Sequence, residues 1–116
     1  MTALRLVSLP MHSALEMLLG LALMVAPIAL GASTAGMIAG VVVGALVVGL
    51  ALQALEAGDR PALPVSAHHA ADYGLVLGLA AGALVLAVDD VTAATVFGAA
   101  ALAHLALNVL TRYSAR

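Results

Sequence analysis

Ala35-Gly-Met-Ile-Ala-Gly-Val-Val-Val-Gly-Ala-Leu-Val-Val-Gly-Leu-Ala-Leu52 runs eighteen residues without one polar side chain. Wound into a helix it is apolar on every face, whereas a helix on the surface of a soluble bundle keeps a polar one. Lipid is the solvent that tolerates such a segment. In lipid the backbone must satisfy its own hydrogen bonds, so the segment is a helix, and its length and lack of alternation exclude a barrel strand.

Outward from this segment the rest of the chain follows the same rule. Four apolar stretches, Met11–Leu30, Ala35–Leu55, Ala70–Val88 and Val91–Leu110, fill most of the 116 residues. Each is near the roughly 20 residues that cross a hydrocarbon core of about 30 Å. Hydrophobic residues make up 65% of the chain and charged residues 9%, against about 25% charged in an ordinary soluble domain. The expected fold is all-α: one four-transmembrane-helix bundle over residues 1–116, built from two helical hairpins at 11–57 and 68–113.

Charge placement predicts the orientation. Arg5 precedes the first stretch, Arg60 lies between the second and third, and Arg112 and Arg116 follow the fourth; there is no lysine. The connections Gly31–Thr34 and Asp89–Asp90 carry no basic residue. Basic residues flanking spans stay on the cytoplasmic side, so both termini are expected there, in a bacterial inner membrane. Arg5 followed by an apolar core imitates a secretory signal, but Glu16 inside that core and the hairpin after it favour a retained first span. The net charge of −2 and the lack of a basic run exclude nucleic acid as a partner. Without cysteine there is no disulfide framework and no thiolate metal site.

The two halves resemble one another. A shift of 58 positions lays Leu19-Gly-Leu-Ala22 on Leu77-Gly-Leu-Ala80, Thr34-Ala35 on Thr92-Ala93 and Gly40 on Gly98. Two spans plus a linker preserve direction, so the repeat is parallel and the inverted-repeat logic of many transporters does not apply within the chain. Gly31 is placed to end the first helix in a left-handed cap, Ser33 or Thr34 to cap the second, Ser66 the third and Asp90 the fourth. Pro27 removes one hydrogen bond from the first helix and is expected to bend it near its end. Gly36, Gly40 and Gly44 on the second helix, and Gly74, Gly78 and Gly82 on the third, recur every four residues. Small residues at that period let another backbone approach closely. They are read as helix-packing faces, within the chain or between copies.

The stretch Leu18-Leu-Gly-Leu-Ala-Leu-Met-Val-Ala-Pro-Ile-Ala-Leu-Gly31 resembles the repeat of the bacterial SPW-repeat membrane proteins, with Ala26-Pro27-Ile28 standing where the Ser-Pro-Trp element would be and Leu30-Gly31 at the turn. The second half keeps Leu77-Gly78 but has Leu84-Val85-Leu86 for the proline element, and neither half has the tryptophan. The resemblance implies two hairpins and four spans, and no activity.

Few polar groups interrupt the spans, and they gather near the arginine-bearing ends. At 1.5 Å per residue Glu16 lies about 8 Å into the first stretch and His104 about 9 Å from the end of the fourth. His12, Gln53, His68, His69, Asp72 and Asn108 lie nearer the same surface. His12 and Glu16, His68 and Asp72, and His104 and Asn108 are each four apart and share a helix face. Histidine with an oxygen-bearing partner one turn away suits a divalent metal or a proton relay. For His12, His68 and His69 the expected position is the headgroup region with no special role. An acid inside a span is costly and marks a functional site by default, so Glu16 is expected to pair with His104.

The leading expectation is a structural or accessory membrane unit, not an enzyme, that associates with itself or with a larger complex through its glycine faces and needs no cofactor. The alternative is a transporter or channel for protons or a metal cation that uses the Glu16 and histidine cluster. Against transport, the far half of every span is apolar.

Overall fold

A computed structural model describes residues 6–56 and 64–113. Arg5, Arg60, Arg116 and most of the central linker lie outside the described residues, so the arginine placement rests there on sequence alone. Within the described residues the chain forms α1 (Leu9–Ala29), α2 (Thr34–Glu56), α3 (Val65–Leu86) and α4 (Val91–Leu110). All four are long and apolar enough to cross a membrane. The helices pack as two hairpins, α1 with α2 and α3 with α4. The longest dimension is 45 Å, close to the thickness of a bilayer with its headgroups, about 40–45 Å. Leu18, Leu77, Leu84, Val85 and Leu102 are exposed on the outside of the bundle. Their exposure has no cost when the surrounding solvent is lipid.

The ends of the helices are set by side-chain chemistry. Ser8 caps α1 by accepting from the Met11 amide at 3.3 Å, with Pro10 in the first turn. Gly31, at φ 72°, ends α1 in the left-handed region that a glycine adopts without strain. Ser33 caps α2 by accepting from the Gly36 amide at 3.0 Å. Asp90 caps α4 by accepting from the Ala93 amide at 2.9 Å. The Asp90 carboxylate also accepts from the backbone amide of Ser33 at 2.9 Å and from the Ser33 hydroxyl. One carboxylate thus ties the two hairpin turns together. The Ala93 amide first, and then the Ser33 hydroxyl and amide, hold the Asp90 carboxyl below its usual range. Ser66 does not cap α3: the helix begins at Val65, so Ser66 is already inside its first turn, and the capping position is Pro64, which makes no side-chain cap. Helix α1 runs on through Pro27. The ring sits near the helix end, where a missing N–H removes only one intrahelical bond.

The glycines divide into two groups. On α2, a Cβ at Gly40 would lie 2.6 Å from the Leu23 carbonyl oxygen, and one at Gly44 would lie 2.6 Å from that of Gly20. A Cβ at Gly36 would meet the Asp90 carboxylate at 2.6 Å and the Ala93 methyl at 2.7 Å. The α2 stripe is therefore the seam of the first hairpin and of its junction with α4. Gly20, which has no glycine one turn away to advertise it, is the α1 side of that seam. On α3, a Cβ at Gly74 or Gly78 would meet nothing within 4 Å among the described residues, while one at Gly82 would lie 3.0 Å from the Phe97 ring. The α3 stripe is not a packing face within the chain except at Gly82.

The bundle interior is filled by Leu23, Val47, Leu79, Phe97, Ala100 and Ala101. This apolar plug separates the end with the turns from the end with the termini. At the terminal end the chain closes on itself. The Val7 amide donates to the Leu110 carbonyl at 3.0 Å, and the Arg112 amide donates to the Val7 carbonyl at 2.9 Å. These bonds form a short strap across the bundle, Leu6–Ser8 against Thr111–Tyr113.

Candidate metal centre

Three helices carry polar side chains to the same depth beneath the strap. Glu16 on α1 and Asp72 on α3 each lie about 10 Å from the start of their helix, and His104 lies about 9 Å from the end of α4. Helix geometry then places His12 one turn above Glu16, and His68 one turn above Asp72, on the same faces. His12, Glu16, Asp72 and His104 are all 0% exposed, and His68 is 6% exposed. The headgroup position expected for His12 and His68 is therefore replaced by burial in the bundle. Their i,i+4 acids draw them inward, and the strap covers them from above.

The donor atoms crowd together. His104 Nε2 is 3.1 Å from Glu16 Oε2, the pairing expected from their depths. His68 Nε2 lies 3.4 Å from Glu16 Oε1 and 3.5 Å from Asp72 Oδ1. His12 Nε2 lies 2.9 Å from Asp72 Oδ2 and 3.6 Å from Glu16 Oε2. One ligand atom from each of His12, Glu16, His68 and Asp72 falls within 4.8 Å of the other three. Despite these approaches, His12 Nε2, Glu16 Oε1, His68 Nε2 and Asp72 Oδ1 make no aligned hydrogen bond. Buried polar atoms of this kind are normally satisfied, and here four of them share one small volume.

The environment of His12 determines which ring nitrogen carries hydrogen. Thr111 donates its hydroxyl proton to the Leu107 carbonyl. Its oxygen, 2.8 Å from His12 Nδ1, then acts as the acceptor, and His12 Nδ1 is the donor. In the neutral ring this leaves a bare lone pair on Nε2, facing two carboxylates. A ring that donates through one nitrogen and is free at the other is the usual arrangement of a metal-ligating histidine.

Tyr113, on the strap, completes the enclosure. Its hydroxyl donates to Asp72 Oδ2 at 2.7 Å and lies 3.1 Å from Asn108 Oδ1. Its ring stacks on His69 at 4.0 Å and 16° and meets His12 edge-on at 5.4 Å. Burial first, and then the Asp72 carboxylate beside it, push the phenol pKa up, so it stays a donor. His69 is thus a support for Tyr113 and is not among the converging donors. Asn108 lies at the edge of the cluster, and its Nδ2 has no partner. Sequence reading missed Tyr113, Thr111 and the inward role of His68. The signal for His68 was its i,i+4 relation to Asp72. The other two lie beyond the last helix, where no periodicity marks them.

Comparison with known protein families, characterised proteins and solved structures gives no match for this chain.

Proposed function

We propose that this four-span membrane protein binds a single divalent transition-metal ion inside the terminal end of its bundle, through His12, Glu16, His68 and Asp72. His104 and Thr111 orient the ligands. The observation that carries this reading is the convergence of His12 Nε2, Glu16 Oε1, His68 Nε2 and Asp72 Oδ1, buried atoms without an aligned hydrogen bond among the described residues, in a group whose ligand atoms lie within 4.8 Å of one another. A divalent cation among these atoms would satisfy all four at once.

Charge balance supports the same reading. Two carboxylates are fully buried, and Arg112, the one arginine among the described residues, is exposed. Buried charge without compensation is strongly unfavourable, and one divalent ion offsets both acids at once. Four ligands at roughly 2.1 Å from one ion in a tetrahedron lie about 3.4 Å from one another, so side-chain movements of about an ångström close the 4.8 Å group. Mixed imidazole and carboxylate donors without thiolate suit zinc and the neighbouring divalent ions; calcium prefers six to eight oxygens, which two acids cannot supply. The association reading loses part of its basis, because the α2 glycines it relied on are used within the chain against α1 and α4. The likeness to SPW-repeat proteins stays a proposal about plan, resting on Leu18–Gly31.

Titration of chelator-stripped protein in detergent tests the binding. One equivalent of zinc is expected to bind saturably, and calcium and magnesium not at all. Absence of saturable zinc binding in folded protein would refute the site.

The orientation is proposed from the arginines. Arg112 is exposed at the terminal end, and basic residues keep that end cytoplasmic. Reporter fusions at Arg116 and in the linker Gly58–Pro61 are expected to score inside, and one at Asp89 outside. The opposite pattern overturns the arginine argument and puts the metal centre at the external face.

A further inference from the structure

We infer that the ion enters and leaves at the terminal end, past Tyr113, and that Tyr113 on the strap is the stopper of the site. This inference rests on the metal-binding reading above.

Two routes lead out of the cluster along the bundle axis. Toward the hairpin turns the way is filled by Leu23, Val47, Leu79, Phe97, Ala100 and Ala101. These six side chains offer no polar atom, so a hydrated or partly coordinated ion meets hydrocarbon over the rest of the span. The penalty for charge in that environment is high. Sideways, the crevices between α1 and α4 are lined by Leu15, Leu18, Leu19, Ala103, Leu107 and Leu110 at the level of the cluster. They open onto the lipid-facing surface and are no better a path for an ion.

Toward the terminal end the barrier is thin and polar. Among the described residues it consists of the strap, tied by two backbone bonds from Val7 to the end of α4 and Arg112. Tyr113 is the strap residue that reaches the centre itself. Its hydroxyl holds Asp72 Oδ2, the same oxygen that His12 Nε2 approaches. Its ring lies between His69 and His12 and is 7% exposed. Withdrawing this one side chain breaks the hydroxyl contacts with Asp72 and Asn108 and the ring contacts with His69 and His12, and uncovers two ligands together. Asn108 and Thr111, beside it, provide polar groups along the opening.

A stopper and a ligand-positioning residue differ in kinetics. Removing a stopper speeds uptake and release together and leaves the equilibrium nearly unchanged. Removing a positioning group speeds release alone and weakens binding. The experiment loads the full-length protein with zinc and follows release to an excess chromophoric chelator by stopped flow, then follows uptake by stripped protein mixed with zinc. For Tyr113→Ala uptake is expected to rise at least about tenfold, and release to rise further still, because the lost bond to Asp72 also weakens binding by roughly 10–100-fold. For Tyr113→Phe, which keeps the ring but not the bond to Asp72, a smaller rise in both rates is expected. Because the ring is retained, this variant keeps the test informative if Tyr113→Ala does not fold. Wild-type rates in the folded variants, or faster release with unchanged uptake, overturn the stopper. If wild-type protein binds no zinc, the metal reading fails and the stopper fails with it; if wild-type binds zinc and the variants exchange it normally, only the stopper fails.

Discussion

Protein carrying both Glu16→Gln and Asp72→Asn is expected to bind zinc at least about 100-fold more weakly than wild type while keeping its helical content. The loss should exceed the 10–100-fold typical of disturbing an outer-shell partner, because both negative ligands are removed. The amides keep the size and the accepting oxygen of each acid, so the contacts with His104 and Tyr113 can persist. If the cluster served only as hydrogen-bonding glue between helices, the two amides would be tolerated and no metal phenotype would exist. Thr111→Val should act more mildly. It frees His12 Nδ1 from the acceptor that orients it, and a loss of roughly 10–100-fold is expected on the same grounds. Competition with a chromophoric chelator measures both variants, and circular dichroism checks the fold. Equal zinc affinity in the double variant and wild type would remove Glu16 and Asp72 from the site.

Gly44→Leu is expected to cause the largest loss of stability of any single glycine substitution in the chain. A Cβ at this position would sit 2.5 Å from Met24 Cγ and 2.6 Å from the Gly20 carbonyl oxygen. The side chain of Met24 can yield, but the backbone of α1 cannot without moving the helix. Overpacking costs about 1–3 kcal/mol where side chains give way, and more is expected where backbone blocks the space. The first hairpin holds His12 and Glu16, so its separation also disturbs the metal centre. Gly78→Leu provides the contrast, since a Cβ there would meet nothing within 4 Å among the described residues. Thermal unfolding in detergent should show a clear fall for Gly44→Leu and little change for Gly78→Leu. Equal stability of the two variants would mean that α1 and α2 are not in the close contact described.

The legible and the illegible parts of this molecule differ for physical reasons. The four spans were readable because lipid leaves no alternative to an apolar helix of fixed length, and their bounds follow within a few residues. The caps at Ser33 and Asp90 were readable because they depend on local chemistry; Ser66 misled because a serine one residue inside a helix looks like a serine at its cap. The depth match of Glu16 and His104 followed from rise per residue alone. Rotation of one helix against another was not readable. Both four-residue glycine stripes look alike in sequence, yet the one on α2 meets α1 and most of the one on α3 meets nothing. His12 and His68 were read as headgroup residues because they lie near helix starts, and their burial depends on the strap. That strap joins Val7 to residues 110–112, a pairing between distant ends of the chain that no local pattern announces. The repeat is similarly partial: at the 58-residue offset His12 and Glu16 fall on Ala70 and Gly74, so the hairpin plan recurs and the centre does not.

In the proposed centre, histidine nitrogens and carboxylate oxygens from α1 and α3 hold one ion together. X-ray absorption fine structure on the zinc-loaded protein addresses it directly. The expected spectrum has nearest neighbours of nitrogen and oxygen only, at about 2.0–2.2 Å, with the more distant scattering of two imidazoles, and is lost in the Glu16→Gln, Asp72→Asn variant. A shell of oxygens without imidazole scattering, or a spectrum that survives in the variant, would contradict it.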